Sequence, residues 1–520
     1  MNETNSNQAE PSVRRRAFAW CFSRHALKTV FIVLAWAATG IALLYAEENW
    51  RGRRAWNKYH QNLVARGESL DFQSFIPKRV PDDQNFASTP FVRAWFNRKL
   101  RSDALWEDQF SIIQGKVEKG TQEQGKRKLM DLGAWAKGFA SVFEIQTNDL
   151  KTATEDRGKA GKEVLEELKS MEPILRELQQ ASTRPYSVYP VEYDLANPWG
   201  ILLPHLSHIR SACARLELRA CAELAAGQND RALESAKLLF YLVNSMQAEP
   251  FLIDFLVQGA CLQMGTHVVW EGIVQHKWSD SQLQELQAIL QKFDFLEKLK
   301  SPLRCERAAV LHTVNILRAH SNYGFLLNFA NAPNARPQGP RGFLTRLVPG
   351  GWYDFEQLNY CLRFDSQFGN IIGQSQKTLM PSQVEASAAR IEGLKLNSGP
   401  GAIWNHEACT VLMLAGLKNV IAKTVAGQVV ADQAYLACAL ERFRLSQGKY
   451  PEALPELAPQ FASQMPMDVV GGQPYRYRRG AQGGYVLYSL GWNEKDDNGT
   501  PGKTLFDEKA GDWVWECSTP

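Results

Sequence analysis

Eighteen consecutive uncharged residues, Thr29–Ala46 (TVFIVLAWAATGIALLYA), constrain this chain more than any other stretch. A bilayer core about 30 Å thick is crossed by roughly 17–25 apolar residues in a helix, which pairs all its backbone groups internally. The run is long enough and is expected to span. A cleaved signal peptide would carry an apolar core of about 7–15 residues ending in a small-x-small site. Here Tyr45 is followed by Ala46-Glu47-Glu48-Asn49, a poor site, so the span should be retained. Arg14, Arg15, Arg16, Arg24 and Lys28 precede it, against Arg51, Arg53, Arg54 and Lys58 after it. That excess places the N-terminus inside and the bulk of the chain outside the cytoplasm, with Trp50, Trp56 and Tyr59 as interfacial anchors.

The remainder reads as globular. Its 59 basic and 55 acidic residues leave a net charge of +4, too balanced for a nucleic-acid footprint. Nine cysteines, an odd number with no C-x-x-C, do not indicate a disulfide framework. The expected fold is mainly α with a small C-terminal α+β part. Its divisions are a cytoplasmic tail over 1–28, the span over 29–46 and a juxtamembrane helical and extended region over 47–200. A helical core follows over 201–320, then a loop and further helices over 321–404 and an α+β module over 405–520.

Residues 1–13 are polar and expected to be disordered. A short juxtamembrane helix should lead into an extended stretch containing Val80-Pro81-Asp82-Asp83-Gln84-Asn85-Phe86-Ala87. With the residues before it, this stretch resembles the membrane-proximal part of a group of uncharacterised bacterial membrane-anchored proteins. The resemblance implies the bacterial inner membrane but carries no activity.

Val164, Leu165, Leu168, Met171, Ile174, Leu175 and Leu178 recur at helical spacing, with Pro173 as a bending point. Arg184–Gly200, rich in Pro and Tyr, should be an extended connector whose aromatics pack on neighbouring helices. From Leu203 to about Phe295 four helices are expected. Gly227 and Asn229 separate two of them in a tetratricopeptide-like pair, though no 34-residue recurrence extends it. Ser279 and Gln282 form a capping box. Pro250–Val274 is apolar enough for a second span, but Asp254, His267 and Glu271 argue for a buried bundle helix. Asn331–Gly351 reads as a loop whose Phe343, Leu344, Leu347 and Val348 fold back on the bundle.

Motifs that would name a reaction fail. His406-Glu407 lacks the second histidine of a zincin, and Gly502-Lys503-Thr504 lacks the first glycine of a P-loop. His205 and His208, one turn apart, have no placed partner for a metal.

The tail is more specific. A helix over Gln433–Phe443 is stopped by Gly448 and Pro451, and strands are expected near 474–478, 485–490 and 512–515. The ordered motifs ALERFRLSQGKYPEALPEL, Pro466-Met467-Asp468, QPYRYR and LYSLG resemble the C-terminal region of the type II secretion major pseudopilin. No prepilin-like site precedes them, and Val469-Val470 departs from the family's Asp-Pro-Trp-Gly turn. The resemblance therefore implies a shared module, expected to fold alone over about 425–520, and a calcium loop. Glu494, Asp496, Asp497, Asp507, Glu508 and Asp512 occupy that loop, and Asp496, Asp497 and Asp512 are the expected ligands. An EF-hand does not fit, because Leu505 stands where its bidentate Glu belongs.

These readings lead to a membrane-anchored extracytoplasmic scaffold or interaction protein with envelope proteins as partners. The alternative is an envelope hydrolase. It requires Asp254, His267, His205 and His208, or Glu306 and His312, to converge on one pocket.

Overall fold

The computed structural model describes residues 24–97, 110–115, 117, 125–142, 156–320, 347–373, 378–396, 405–414, 416–480 and 483–518. The disordered segment expected at 1–13 and residues 331–346 of the expected loop lie outside them.

Helix α1, Arg24–Ala65, is unbroken over 42 residues. The juxtamembrane helix is thus continuous with the apolar run. Residues 27–44 are exposed throughout, and no other described residue covers their apolar side chains. A helix apolar on all faces and left uncovered is a candidate membrane span.

Next come α2 (Leu132–Val142), α3 (Arg157–Glu167) and α4 (Glu172–Ala181). A 3₁₀ turn at Leu168–Met171 separates α3 from α4, and Pro173 lies in the first turn of α4, where its missing N–H has no bond to lose. The apolar stripe read as one bent helix is therefore two. Helices α5 (Pro204–Ala225) and α6 (Asn229–Ser245) form a hairpin turned by Gly227 at φ +74°, a left-handed position that suits glycine. Helix α7 (Leu252–Val274) returns beside α5, and α8 (Asp280–Leu290) opens with the expected capping box. Helices α9 (Phe295–Ala319), α10 (Gly350–Gly373), α11 (Pro381–Leu396) and α12 (Leu417–Gln447) follow, and two short helices, Pro90–Ala94 and Ala408–Met413, lie between the longer ones.

The second apolar candidate, α7, lies inside the bundle and packs on α5, α6, α9 and α12. Helix α12 is buried around almost its whole circumference from Val420 to Glu441. It ends at Gly448, φ +74°, below an antiparallel sheet of order β1 (Arg476–Arg479), β2 (Tyr485–Ser489) and β3 (Trp513–Cys517). Leu487 pairs with Tyr477 and Trp515 across this sheet, and Leu487 and Trp515 are fully buried. Gln433 on α12 donates to the Trp513 carbonyl at 2.7 Å, and Trp270 on α7 donates to that of Glu516 at 2.8 Å. One apolar core therefore runs from Phe86 to Cys517 through bundle and sheet alike. Cys213, Cys221, Cys261, Cys361, Cys438 and Cys517 are buried free thiols within it, and Cys305 is one in a smaller cluster with Phe72, Ala308 and Ala309.

Helix α10 fastens α1 to this body, so the loop expected through Gly351 ends instead in a helix start. At the crossing the backbones nearly touch. A Cβ on Gly351 would lie 2.1 Å from the Glu48 carbonyl oxygen, and one on Gly52 would lie 2.3 Å from that of Gly351. Asn49 Oδ1 accepts from the Gly351 amide at 2.7 Å. Farther along, Tyr59 donates to Asp365 at 2.5 Å, while the fully buried Arg307 of α9 pairs with Glu68 and Asp365. Removing one partner of such a buried pair costs about 3–5 kcal/mol because it strands the Arg307 charge, so Glu68 and Asp365 must both stay in place.

Candidate functional site

Helices α5 and α7 run side by side in the same direction, and their facing residues pair in order. His205 meets Asp254, Cys213 meets Cys261, Glu217 meets His267, and Cys221 meets Glu271. Polar groups enter this seam because both helices are buried on nearly every side, so each must find its partner across the interface.

At the N-terminal end of the seam, His205 Nε2 and Asp254 Oδ1 lie 3.0 Å apart, with the side chains 0% and 1% exposed. The imidazole stacks on Tyr189 at 4.4 Å and on Phe96 at 5.7 Å. His205 Nδ1 and Asp254 Oδ2 are buried without a hydrogen-bond partner. Burial pushes the Asp254 carboxyl up, as it does that of Glu249, which accepts from the Tyr193 hydroxyl at 2.7 Å and the Tyr189 amide at 3.2 Å. Such a dyad has base and orienter, but solvent does not reach it. His208, one turn on, turns away to stack on Trp95 at 5.6 Å.

Thirteen residues farther along α7, about 20 Å by helical rise, stands a second cluster. His267 Nδ1 lies 2.8 Å from Glu217 Oε1, and its Nε2 lies 2.9 Å from the Lys128 carbonyl. Burial works against a charged ring here, but Glu217, Glu271 and that carbonyl outweigh it and push His267 up to about 9. Glu271, fully buried, accepts from the Met130 amide through Oε1 and from Arg157 through Oε2, the latter at 2.5 Å. Burial, reinforced by Glu271 and Glu217, holds the Cys221 thiol well above its usual range. Cys221, His267 and Glu271 bring a sulfur, a nitrogen and an oxygen within 4.8 Å of one another, the one such group among the described residues. A cavity of about 460 Å³ opens beside His267 and Glu217, walled by Met130, Trp135, Arg210 and Phe506.

His312, with its Nε2 2.8 Å from the Leu195 carbonyl, lines a different cavity of about 480 Å³ with His60, Glu68 and Asp71. Glu306, on the same helix, is pushed up to about 7 by burial. The candidates of the hydrolase reading are thus divided among separate places.

In the acidic loop the three expected ligands serve the loop's own backbone. Asp512 accepts from the amides of Asp497 at 3.3 Å and Gly499 at 2.6 Å, Asp497 from that of Gly511 at 3.1 Å, and Asp496 from that of Asn498 at 2.9 Å. Asp512 is 1% exposed, and burial, with Asp496 and Asp497 nearby, pushes it up to about 6 against its amide donors.

Sequence reasoning placed His267 and Glu271 on a buried helix but passed over Glu217, Cys221 and Arg157. The available signal was a pair of four-residue spacings, Glu217–Cys221 and His267–Glu271, on helices one hairpin apart. Comparison with protein-family models, curated proteins and solved structures finds no match to the chain.

Proposed function

We propose that this chain is a single-pass scaffold or interaction protein of the bacterial inner membrane, with its N-terminus cytoplasmic and its body in the extracytoplasmic space. The observation that supports this reading is helix α1, whose first half is an apolar candidate span left uncovered by the other described residues and whose second half is held by α10 and Arg307 against the main core. A body fixed rigidly to its anchor suits a protein that positions partners at a set height above a membrane. The hydrolase alternative gains no support from a sealed dyad and divided polar clusters. The test is a reporter that works only outside the cytoplasm, fused after Pro520, combined with affinity purification of the detergent-extracted chain. The reporter should be active and envelope proteins should co-purify reproducibly; cytoplasmic reporter activity would overturn the topology.

A helix laid on a three-stranded antiparallel sheet supports the likeness to a pseudopilin module and, through it, a role linked to secretion-type machinery. Calcium at Asp496, Asp497 and Asp512 belongs to the same proposal. At 100 times a Kd of about 10⁻⁴–10⁻³ M, calcium would stabilise the chain by roughly 2.7 kcal/mol. Scanning calorimetry should show the melting temperature rising with calcium in the parent and not in an Asp496→Ala/Asp497→Ala variant. An equal rise in both would remove the ion from this loop.

A further inference from the structure

We propose that Cys221, His267 and Glu271 form a zinc-binding site, reached from the cavity beside His267. Three observations carry it: the donor set, the way the imidazole is held, and the cavity that reaches His267.

The donors are a thiol, an imidazole and a carboxylate, with their ligand atoms within 4.8 Å of one another. Mixed sulfur, nitrogen and oxygen coordination suits tetrahedral zinc, with Zn–S about 2.3 Å and Zn–N about 2.0–2.1 Å. Calcium and magnesium, which take oxygen ligands, do not fit it. The parallel register of α5 and α7 makes the convergence a property of rigid helices rather than of a loop.

The imidazole is oriented for the task. Glu217 Oε1 stands 2.8 Å from Nδ1, which leaves Nε2, 3.9 Å from Glu271 Oε1, as the ligating nitrogen. A carboxylate on the far nitrogen is how metal-binding histidines have their tautomer and ring direction set. Arg157 and the Met130 amide do the same for Glu271. When zinc binds, the Cys221 S–H and His267 Nε2–H bonds break, two protons leave for solvent, and Zn–S, Zn–N and, from the already ionised Glu271, Zn–O bonds form. Two protons exchanged for one divalent ion leave the net charge of the seam unchanged. The Lys128 carbonyl, 2.9 Å from Nε2, lies between the anchored residues Arg127 and Met130 outside any helix or strand, and zinc binding would require this one bond to be given up. The cavity is lined by His267 but not by Cys221 or Glu271, so water or an exogenous carboxylate would approach the fourth position from the His267 side. Three protein ligands with one open position is a coordination pattern in which zinc keeps an exchangeable ligand.

The test uses the full chain, extracted in detergent without a histidine tag, incubated with zinc chloride and dialysed. The parent and Cys213→Ser, which removes a buried thiol outside the cluster, should each retain one zinc per chain. Cys221→Ser and His267→Gln should lose it, and Glu217→Gln should bind about 10–100-fold more weakly. Cobalt(II) loading should give the parent a thiolate-to-metal charge-transfer band that Cys221→Ser lacks, a readout that loss of stability alone does not mimic. Should Cys221→Ser fail to fold, the parent's cobalt band and the Glu217→Gln affinity decide. No retained zinc in the parent, a cobalt spectrum without a thiolate band, or parent-like zinc binding by folded Cys221→Ser or Glu217→Gln would overturn the site.

Discussion

Glu441, fully buried on α12, accepts from the Tyr450 hydroxyl at 2.6 Å, from Arg444 at 2.7 Å, and pairs with His276 Nδ1 at 2.8 Å. Burial alone would raise this carboxyl, yet the bonds from His276, Arg444 and Tyr450 hold it down at about 2. A folded value below the unfolded 4.5 stabilises the fold fully above pH 4.5, and this is lost as pH falls toward 2. Nine residues earlier, Asp432 has the opposite sign. It accepts from Gln428 and Tyr475, each at 2.9 Å, but burial dominates and pushes it from 3.8 up to about 7. The native state then holds a proton that the unfolded chain has released, so stability falls as pH rises from about 4 to 7. Melting temperatures measured from pH 3 to 8 should separate the two. Glu441→Gln should flatten the acid limb below pH 4.5, and Asp432→Asn should flatten the decline toward neutrality. Parent-like profiles in both variants would mean that these groups do not set the pH response.

Among the elements, the crossing of α1 and α10 depends on two glycines that leave no room for a Cβ. Gly351→Val should push the helices apart, break the Asn49 bond and lower the melting temperature by several degrees. Limited proteolysis should then cut between residues 47 and 65, where the parent resists; an unchanged cleavage pattern would show that the crossing does not hold α1. The partnership was hidden in the sequence because Gly350-Gly351 closes a stretch rich in proline and glycine, and such residues signal turns locally. Elements with local signals were legible: the Ser279 capping box, the Gly227 and Gly448 terminations and the strand at Tyr485–Ser489 all carry their mechanism in a few adjacent residues. The candidate site was legible only in halves. Each four-residue spacing is visible on its own helix, but the register that brings Cys221 to Glu271 arises from packing 50 residues apart in the chain. The all-round burial of α12 was equally silent, since a helix apolar on several faces does not say how many neighbours it has.

For the molecule as a whole, the shared core changes what a fragment can do. Helix α12 carries the sheet on one side and α7, α8 and α9 on the others, so residues 425–520 taken alone would expose Val429, Val430, Leu436 and Leu440 or their neighbours to water. Apolar surface of that size drives association rather than folding. The fragment should be oligomeric and lack a cooperative transition, whereas residues 47–520 should melt as one unit in calorimetry. A monomeric fragment with a sharp transition would make the sheet and its helix a separate body.

Helix α1 also has a mechanical meaning. At about 1.5 Å per residue its 42 residues form a rod of roughly 60 Å, about half of which the bilayer core can hold. No proline interrupts it, and the clamp at Gly52, Tyr59 and Glu68 lies beyond the span, so rod and body turn together. A change of about 10° in the tilt of the span, which a few ångströms of bilayer thinning or thickening can produce, would swing the clamped end sideways by about 5 Å. Under the proposed anchoring the body would act as the pointer of a thickness gauge, and where it reaches would depend on the lipid around the span.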